Sequence, residues 1–138
     1  MPIEKSAGAV IFRKQNDAIL YLLLHYEAGH WDLAKGHIEK GENEIATIKR
    51  EVEEETGLKD IAFIKGFREV IKYYFRVEGK TILKFVTFYL AETETKEIKI
   101  SKEHRGFLWL PYDKALKQLT FKNAKQILQK ANDYLTRT

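Results

Sequence analysis

The sequence has no cysteine and no long run of apolar residues. The missing cysteine excludes disulfide bonds, thiol nucleophiles, cysteine-ligated zinc and iron–sulfur clusters, so any bound metal must sit on oxygen or histidine. No stretch approaches the roughly 18 apolar residues of a membrane span, and the opening residues MPIEK do not follow the pattern of a secretory signal. We therefore expect a cytoplasmic protein with no membrane partner.

The composition predicts one globular domain over residues 1–138, because 138 residues with 44% hydrophobic content can bury one core but not two. The charge is unevenly distributed. The formal net charge is +4, yet the window 36–58 holds seven acids and only three bases. Such an acidic cluster in a basic protein is either a solvated helix face or a divalent-cation site whose basic surroundings attract phosphate.

Apolar runs and turn residues predict a mixed α/β fold in which helices pack on a central β-sheet. We expect strands at 7–12, 18–24, 61–77, 81–92 and 107–110, with Glu78, Gly79 and Lys80 as a hairpin turn. A helix is predicted at 43–56, with Asn43 as its N-cap and Gly57 at its exit. Pro111 suits the first turn of a short helix, and the apolar spacing of 122–135 predicts an amphipathic C-terminal helix.

The central helix carries three glutamates at one margin of its apolar face. Glu51, Glu54 and Glu55 are spaced i, i+3 and i+4, so they share a stripe. Carboxylates this close repel one another and raise each other's pKa unless a hard cation binds between them. Ligation by oxygen alone points to Mg²⁺ or Mn²⁺.

The string GHIEKGENEIATIKREVEEETGL resembles the Nudix box, G-x5-E-x7-R-E-U-x-E-E-x-G-U, where U is a bulky aliphatic residue. Every fixed position matches: Gly36, Glu42, Arg50, Glu51, Val52, Glu54, Glu55, Gly57 and Leu58. The resemblance to the Nudix hydrolases implies an α/β/α sandwich and hydrolysis of nucleoside diphosphates linked to another moiety. It also implies a metal held by Glu51, Glu54, Glu55 and the Gly36 carbonyl.

The resemblance allows two roles for Arg50. It is either a catalytic residue or a residue that pairs with box carboxylates and fixes their orientation. Glu42 and Gly57 resemble scaffold positions of the box. One glutamate of the stripe is expected to accept the proton of the attacking water, and the sequence leaves open which.

Segments outside the box are similar to those of Nudix enzymes that cleave diadenosine tetraphosphate asymmetrically into ATP and AMP. The similar segments are HWDLAKGHIEKGE, KFVTFYLAE, SKEHRGFLWL and TFKNAKQIL. By this resemblance Glu103 adds a metal-binding carboxylate, and phosphate or adenine binding is expected from Tyr26, His30, Lys35, His37, Tyr73, Lys80, Lys84 and Phe121. Tyr74 is a further aromatic candidate, but Tyr73 and Tyr74 point to opposite faces of a strand and cannot line one cleft together.

Three functions remain open from the sequence. The first is the cleavage of dinucleoside polyphosphates. The second is the same chemistry on nucleoside triphosphates, ADP-sugars, diphosphoinositol polyphosphates or RNA 5′ ends. The third is a non-catalytic nucleotide sensor, against which the intact glutamate stripe argues. DNA is not expected as a partner, and no oligomeric state is favoured.

Overall fold

The structure is a computed structural model and describes residues 1–137. Its elements, in chain order, are β1 (Ile3–Gln15), β2 (Ala18–Tyr26), β3 (Trp31–Asp32), β4 (Ala34–His37), α1 (Glu44–Thr56), β5 (Ala62–Val77), β6 (Lys80–Glu92), β7 (His104–Pro111), α2 (Tyr112–Gln118) and α3 (Lys122–Thr136). None of the helices in this described range is long and apolar enough to cross a membrane.

The seven strands form one mixed sheet, which confirms the predicted fold class. Its main path runs β3-β2-β1-β6-β5, while β4 pairs with β1 and β7 pairs with β2. The β1–β6 pair is parallel and the other pairs are antiparallel. The central strand β1 is therefore bordered by β2 and β4 on one side and by β6 on the other, so its residues reach both halves of the sheet.

The sheet is covered on both faces, as a sandwich requires. Alternate residues of β1 point to opposite faces: Val10 and Phe12 join the core under α2 and α3, whereas Ala9 and Ile11 join the core under α1, with Val52. We call these the α2/α3 face and the α1 face. The same alternation decides on which face each polar residue near the strand ends lies.

Helix α1 begins and ends as the sequence predicts. Asn43 is the N-cap, its side chain accepting a 2.8 Å hydrogen bond from the Ala46 amide. Gly57 follows the helix with φ of 77°, a left-handed conformation that glycine adopts without a steric penalty. The caps fix the ends of the helix, and the burial of Ile48 and Val52 against the sheet sets the direction of its glutamates.

Three local predictions differ from the structure in their boundaries. The strand predicted at 7–12 extends over Ile3–Gln15, because its polar ends pair with neighbouring strands. Lys80 is the first residue of β6 and pairs with Val77, so Glu78 and Gly79 alone form the turn. Pro111 precedes α2 as its N-cap instead of lying in the first turn. The short strands β3 and β4 were not predicted, since two to four residues carry too little periodicity.

Candidate active site

Glu51 and Glu55 form the centre of the acidic cluster. The side chain of Glu55 is only 5% exposed, and its Oε1 accepts a 3.0 Å hydrogen bond from the Lys35 amide. Burial, followed by the charge of Glu51, raises the pKa of Glu55 to about 8. Burial also raises the pKa of Glu51, against the opposing effect of Arg50. Two partly desolvated carboxylates thus lie where β4 meets α1.

Glu54 lies apart from this pair. Its side chain is 58% exposed, and its nearest charged partner is Arg50, at 3.4 Å. The helical rotation of 100° per residue explains the difference, because Glu55 and Glu54 point about 100° apart. Once Glu55 turns toward the core, Glu54 must turn toward solvent.

Arg50 holds the loop before α1 against the helix. Its guanidinium donates two hydrogen bonds to Glu42, at 2.7 and 3.0 Å, and one to the His37 carbonyl at 3.0 Å. A weaker contact of 3.4 Å reaches Glu51. The hydrogen bond from Arg50 is the main reason that the pKa of Glu42 is lowered to about 2. This geometry matches the orienting role that the sequence offered for Arg50.

Gly36 packs directly on the Glu51 carboxylate. A Cβ atom at position 36 would overlap the Cδ and both oxygens of Glu51. Gly36 therefore leaves room for the Glu51 carboxylate at the sheet edge. The site requires glycine here for steric reasons, independently of the metal-ligand role inferred for its carbonyl.

Glu103 lies in the loop before β7, near the acidic cluster. Its carbonyl accepts a 2.8 Å hydrogen bond from the Glu27 amide, which ties this loop to the end of β2. Its charge raises the pKa of both Glu51 and Glu55. Glu103 is thus near enough to the acidic cluster for its charge to act on both glutamates.

His104 was missed by the sequence analysis. Its side chain is fully buried, and Nδ1 lies 2.9 Å from the Ser101 hydroxyl. Nε2 has no hydrogen-bond partner within residues 1–137 and points toward Glu55, 3.8 Å from Oε2. Burial, as the largest cause, lowers the pKa of His104. A polar atom buried behind a glutamate suits a residue that positions the carboxylate.

The cluster fits a hard divalent cation. Within the described chain, no three carboxylate or imidazole side chains converge as a ready-made cage, because Glu54 turns away toward Arg50. The donors that do meet are carboxylate oxygens, and both Glu51 and Glu55 are desolvated beside like charge. A divalent cation would stabilise their charged forms, and oxygen donors are those that Mg²⁺ and Mn²⁺ prefer.

A cavity of about 370 Å³ opens next to this cluster on the α2/α3 face. Its lining combines aromatic, aliphatic and polar side chains: His30, Asp32, Lys35, Ile71, Tyr73, Val86, Phe88, Phe121, Lys122, Asn123 and Ala124. Of the predicted substrate-binding residues, it brings together His30, Lys35, Tyr73 and Phe121. Such a largely apolar cavity with aromatic side chains in its lining suits a nucleobase.

Tyr26 supports this cavity from behind. Its ring stacks on the His30 ring with 4.7 Å between the ring centroids, and its hydroxyl donates a 2.9 Å hydrogen bond to the Leu33 carbonyl. His30 in turn lies 5.2 Å from Phe121. Hydrogen bonds between the backbone of Trp31 and Thr120 hold the two chain segments together, at 2.8 and 3.1 Å.

Basic side chains continue from the cavity across the α2/α3 face. Lys35 contacts Asp32 at 3.2 Å, and its charge helps to lower the pKa of Lys84, for which burial is the largest cause. Lys84 pairs across strands with Tyr73 and contacts Glu4 at 3.4 Å. His37 also contacts Glu4, at 3.4 Å. Glu4 and Asp32 were not foreseen. The contact of Glu4 with Lys84 depends on the pairing of β1 with β6, whereas Asp32 lies only three residues before its partner Lys35.

Two candidates lie outside this arrangement. Lys80 is exposed at the tip of the β5–β6 hairpin, four residues or roughly 13 Å from Lys84 along the strand. Tyr74 is 57% exposed and points to the α1 face, opposite Tyr73, as strand alternation requires.

Comparisons with known proteins agree with the predicted family and fold. A family described as NUDIX domain matches residues 2–131. The mouse (Mus musculus) bis(5′-nucleosyl)-tetraphosphatase [asymmetrical] is 35% identical over 146 residues, covering 97% of each chain. Its Caenorhabditis elegans counterpart is 30% identical, covering 96% of this chain and 97% of the relative. The crystal structure of a C. elegans Ap4A hydrolase binary complex superposes with a TM-score of 0.84 at 28% identity, covering 96% and 97% of the two chains.

Proposed function

This chain belongs to the NUDIX domain family of hydrolases, and we propose that it cleaves diadenosine tetraphosphate asymmetrically into ATP and AMP with Mg²⁺ or Mn²⁺ bound. Full-length relatives that carry the name asymmetrical bis(5′-nucleosyl)-tetraphosphatase support this substrate. A cytoplasmic location, which the cysteine-free composition favours, is part of the proposal.

The observation that carries the proposal is the position of the aromatic cavity. His30, Phe121 and Tyr73 border a space of about 370 Å³, and Lys35, which also lines it, donates its backbone amide to Glu55 in the acidic cluster. A base stacked in this space has its phosphates directed past Lys35 toward the carboxylates. Base and phosphate recognition therefore join at the reacting centre.

We assign the metal to Glu51 and Glu55, with Glu54, Glu103 and the Gly36 carbonyl at the margin of the site. A divalent cation held there supplies charge neutralisation for the phosphate oxygens and a more acidic water. We assign to Glu103 the acceptance of the proton from the attacking water, because Glu103 is exposed and its charge acts on Glu55.

The remaining residues bind and orient. Arg50 keeps Glu51 in place through its contacts with Glu42 and Glu51. Lys35, Lys84 and His37 offer positive or hydrogen-bonding groups to the phosphates, and their number suits a long, highly charged chain. Lys80, at the hairpin tip, is not needed for this arrangement.

The direct test is product analysis. Diadenosine tetraphosphate incubated with the protein and Mg²⁺ should yield ATP and AMP in equal amounts, resolved by ion-exchange chromatography, and a chelator should abolish the reaction. Parallel incubations with nucleoside triphosphates, ADP-ribose, diphosphoinositol polyphosphate and triphosphorylated RNA test the other Nudix substrates. Two equivalents of ADP, or action on mononucleotides alone, would reject the proposal.

A further inference from the structure

Glu4 is an acidic residue in the middle of a row of predicted substrate-binding residues. The row crosses four neighbouring strands: His37 on β4, Glu4 on β1, Lys84 on β6 and Tyr73 on β5. The register pairs Glu4 with Lys84 and Lys84 with Tyr73, while His37 pairs with Ser6, two residues from Glu4.

Strand alternation places Glu4 on the α2/α3 face. Glu4 lies six and eight residues before Val10 and Phe12, both of which join the core on that face. Lys84 precedes Val86 and Phe88 of the same core by two and four residues. The carboxylate therefore shares its surface with the cavity and lies on the opposite face from the α1 core.

A single oxygen of Glu4 serves both neighbours. Oε1 lies 3.4 Å from Lys84 Nζ and 3.4 Å from His37 Nε2. The Lys84 side chain is only 9% exposed, so its charge has few water partners and depends on the carboxylate. Glu4 thus occupies the position that an anionic oxygen of a substrate would take between these two groups.

We propose that Glu4 is a specificity-determining residue that limits how many phosphates the row of basic groups accepts. The inference rests on the proposed function, because it takes this row as the path of the polyphosphate. A short chain that ends near Lys35 does not reach Glu4. A longer chain competes with the carboxylate for Lys84 and His37 and is repelled by its charge, so discrimination increases with each added phosphate.

Binding of inorganic polyphosphates to the Glu4→Gln variant tests this directly. Calorimetry with pyrophosphate, tripolyphosphate and tetrapolyphosphate measures the affinity of this row for phosphate chains. A chelator in the buffer removes the contribution of metal ions. The variant should bind tetrapolyphosphate about tenfold more tightly than the wild-type protein, with a smaller gain for tripolyphosphate and none for pyrophosphate. Glu97→Gln is the matched control, since it removes the same charge from an exposed position.

One further variant and two further substrates keep the outcome decisive. Glu4→Asp keeps the charge but shortens the side chain. Its affinity for tetrapolyphosphate should lie between those of the wild-type protein and Glu4→Gln. In hydrolysis, Glu4→Gln should raise kcat/KM for diadenosine pentaphosphate more than for diadenosine triphosphate. The inference would be overturned if Glu4→Gln changed the affinity equally for all chain lengths or left it unchanged. It would also be overturned if neither the wild-type protein nor Glu4→Gln bound tetrapolyphosphate. Normal release of ATP and AMP alongside any of these results would leave the proposed function standing.

Discussion

Replacing Gly36 with alanine tests how closely the metal site depends on the packing of β4 against α1. The added Cβ would overlap the Glu51 carboxylate. Restoring an ordinary contact of about 3.5 Å requires this carboxylate to move by on the order of 1 Å. A misplacement of that size costs about 100-fold in rate when the displaced group holds the reacting centre. We therefore expect kcat for diadenosine tetraphosphate to fall about 100-fold at saturating Mg²⁺.

Steady-state hydrolysis and thermal unfolding should be measured together on this variant. Gly106→Ala is the matched control, because Gly106 also lies in a strand of the sheet and a Cβ there meets no atom of the described chain within 4 Å. The control should keep wild-type turnover, and both variants should unfold cooperatively. Wild-type kcat in Gly36→Ala, or an equal loss in Gly106→Ala, would refute the steric reasoning.

Three further predictions concern the adenine cavity, the buried histidine and the acid stability. Phe121→Ala should raise KM roughly 5- to 150-fold with little change in kcat, because a stacked base loses about 1–3 kcal/mol; steady-state kinetics measures this. His104→Phe keeps an aromatic ring but removes the nitrogen facing Glu55, and should weaken Mn²⁺ binding about 10- to 100-fold in a titration followed by electron paramagnetic resonance. The folded-state pKa of Glu42 is about 2, below its ordinary value of 4.5, so its stabilising effect is complete above pH 4.5 and is lost as the pH falls toward 2. Urea unfolding between pH 2 and 7 should therefore show a shallower acid decline for Glu42→Gln.

Each of these predictions has a contradicting result. Tyr74→Ala removes an aromatic ring that is 57% exposed on the other face, so an equal rise in KM would exclude specific stacking at Phe121. Unchanged Mn²⁺ affinity in His104→Phe would leave that histidine with a packing role alone. Parallel acid declines for the wild-type protein and Glu42→Gln would show that the pair with Arg50 does not stabilise the fold.

The sequence predicts the helical part of the site because its information is local. The spacing of the box and the caps at Asn43 and Gly57 fix the helix and its glutamates. The same helical geometry also predicts different directions for the side chains of Glu54 and Glu55, because consecutive residues point about 100° apart around the helix axis. In the structure Glu51 and Glu55 lie against β4, whereas Glu54 faces Arg50 and solvent.

The parts that the sequence does not predict depend on contacts between distant segments. Glu4 meets Lys84 only because β1 and β6 pair in parallel with a particular register. His104 faces Glu55 because the loop before β7 is tied to the end of β2. Strand pairing of this kind is non-local, and no periodicity within one segment encodes it.

Metal binding by the buried glutamate is tested most directly with Glu55→Gln. A neutral amide resembles the protonated carboxyl that a pKa of about 8 implies at neutral pH, so the variant should fold normally. Glu53→Gln removes the same charge from an exposed position of α1 and serves as the control. Mn²⁺ binding should be titrated by electron paramagnetic resonance, and release of ATP and AMP should be measured on the same samples. We expect Glu55→Gln to lose both Mn²⁺ binding and product release, and Glu53→Gln to retain both. Wild-type metal occupancy and product release in Glu55→Gln would contradict the assignment of the metal to this cluster.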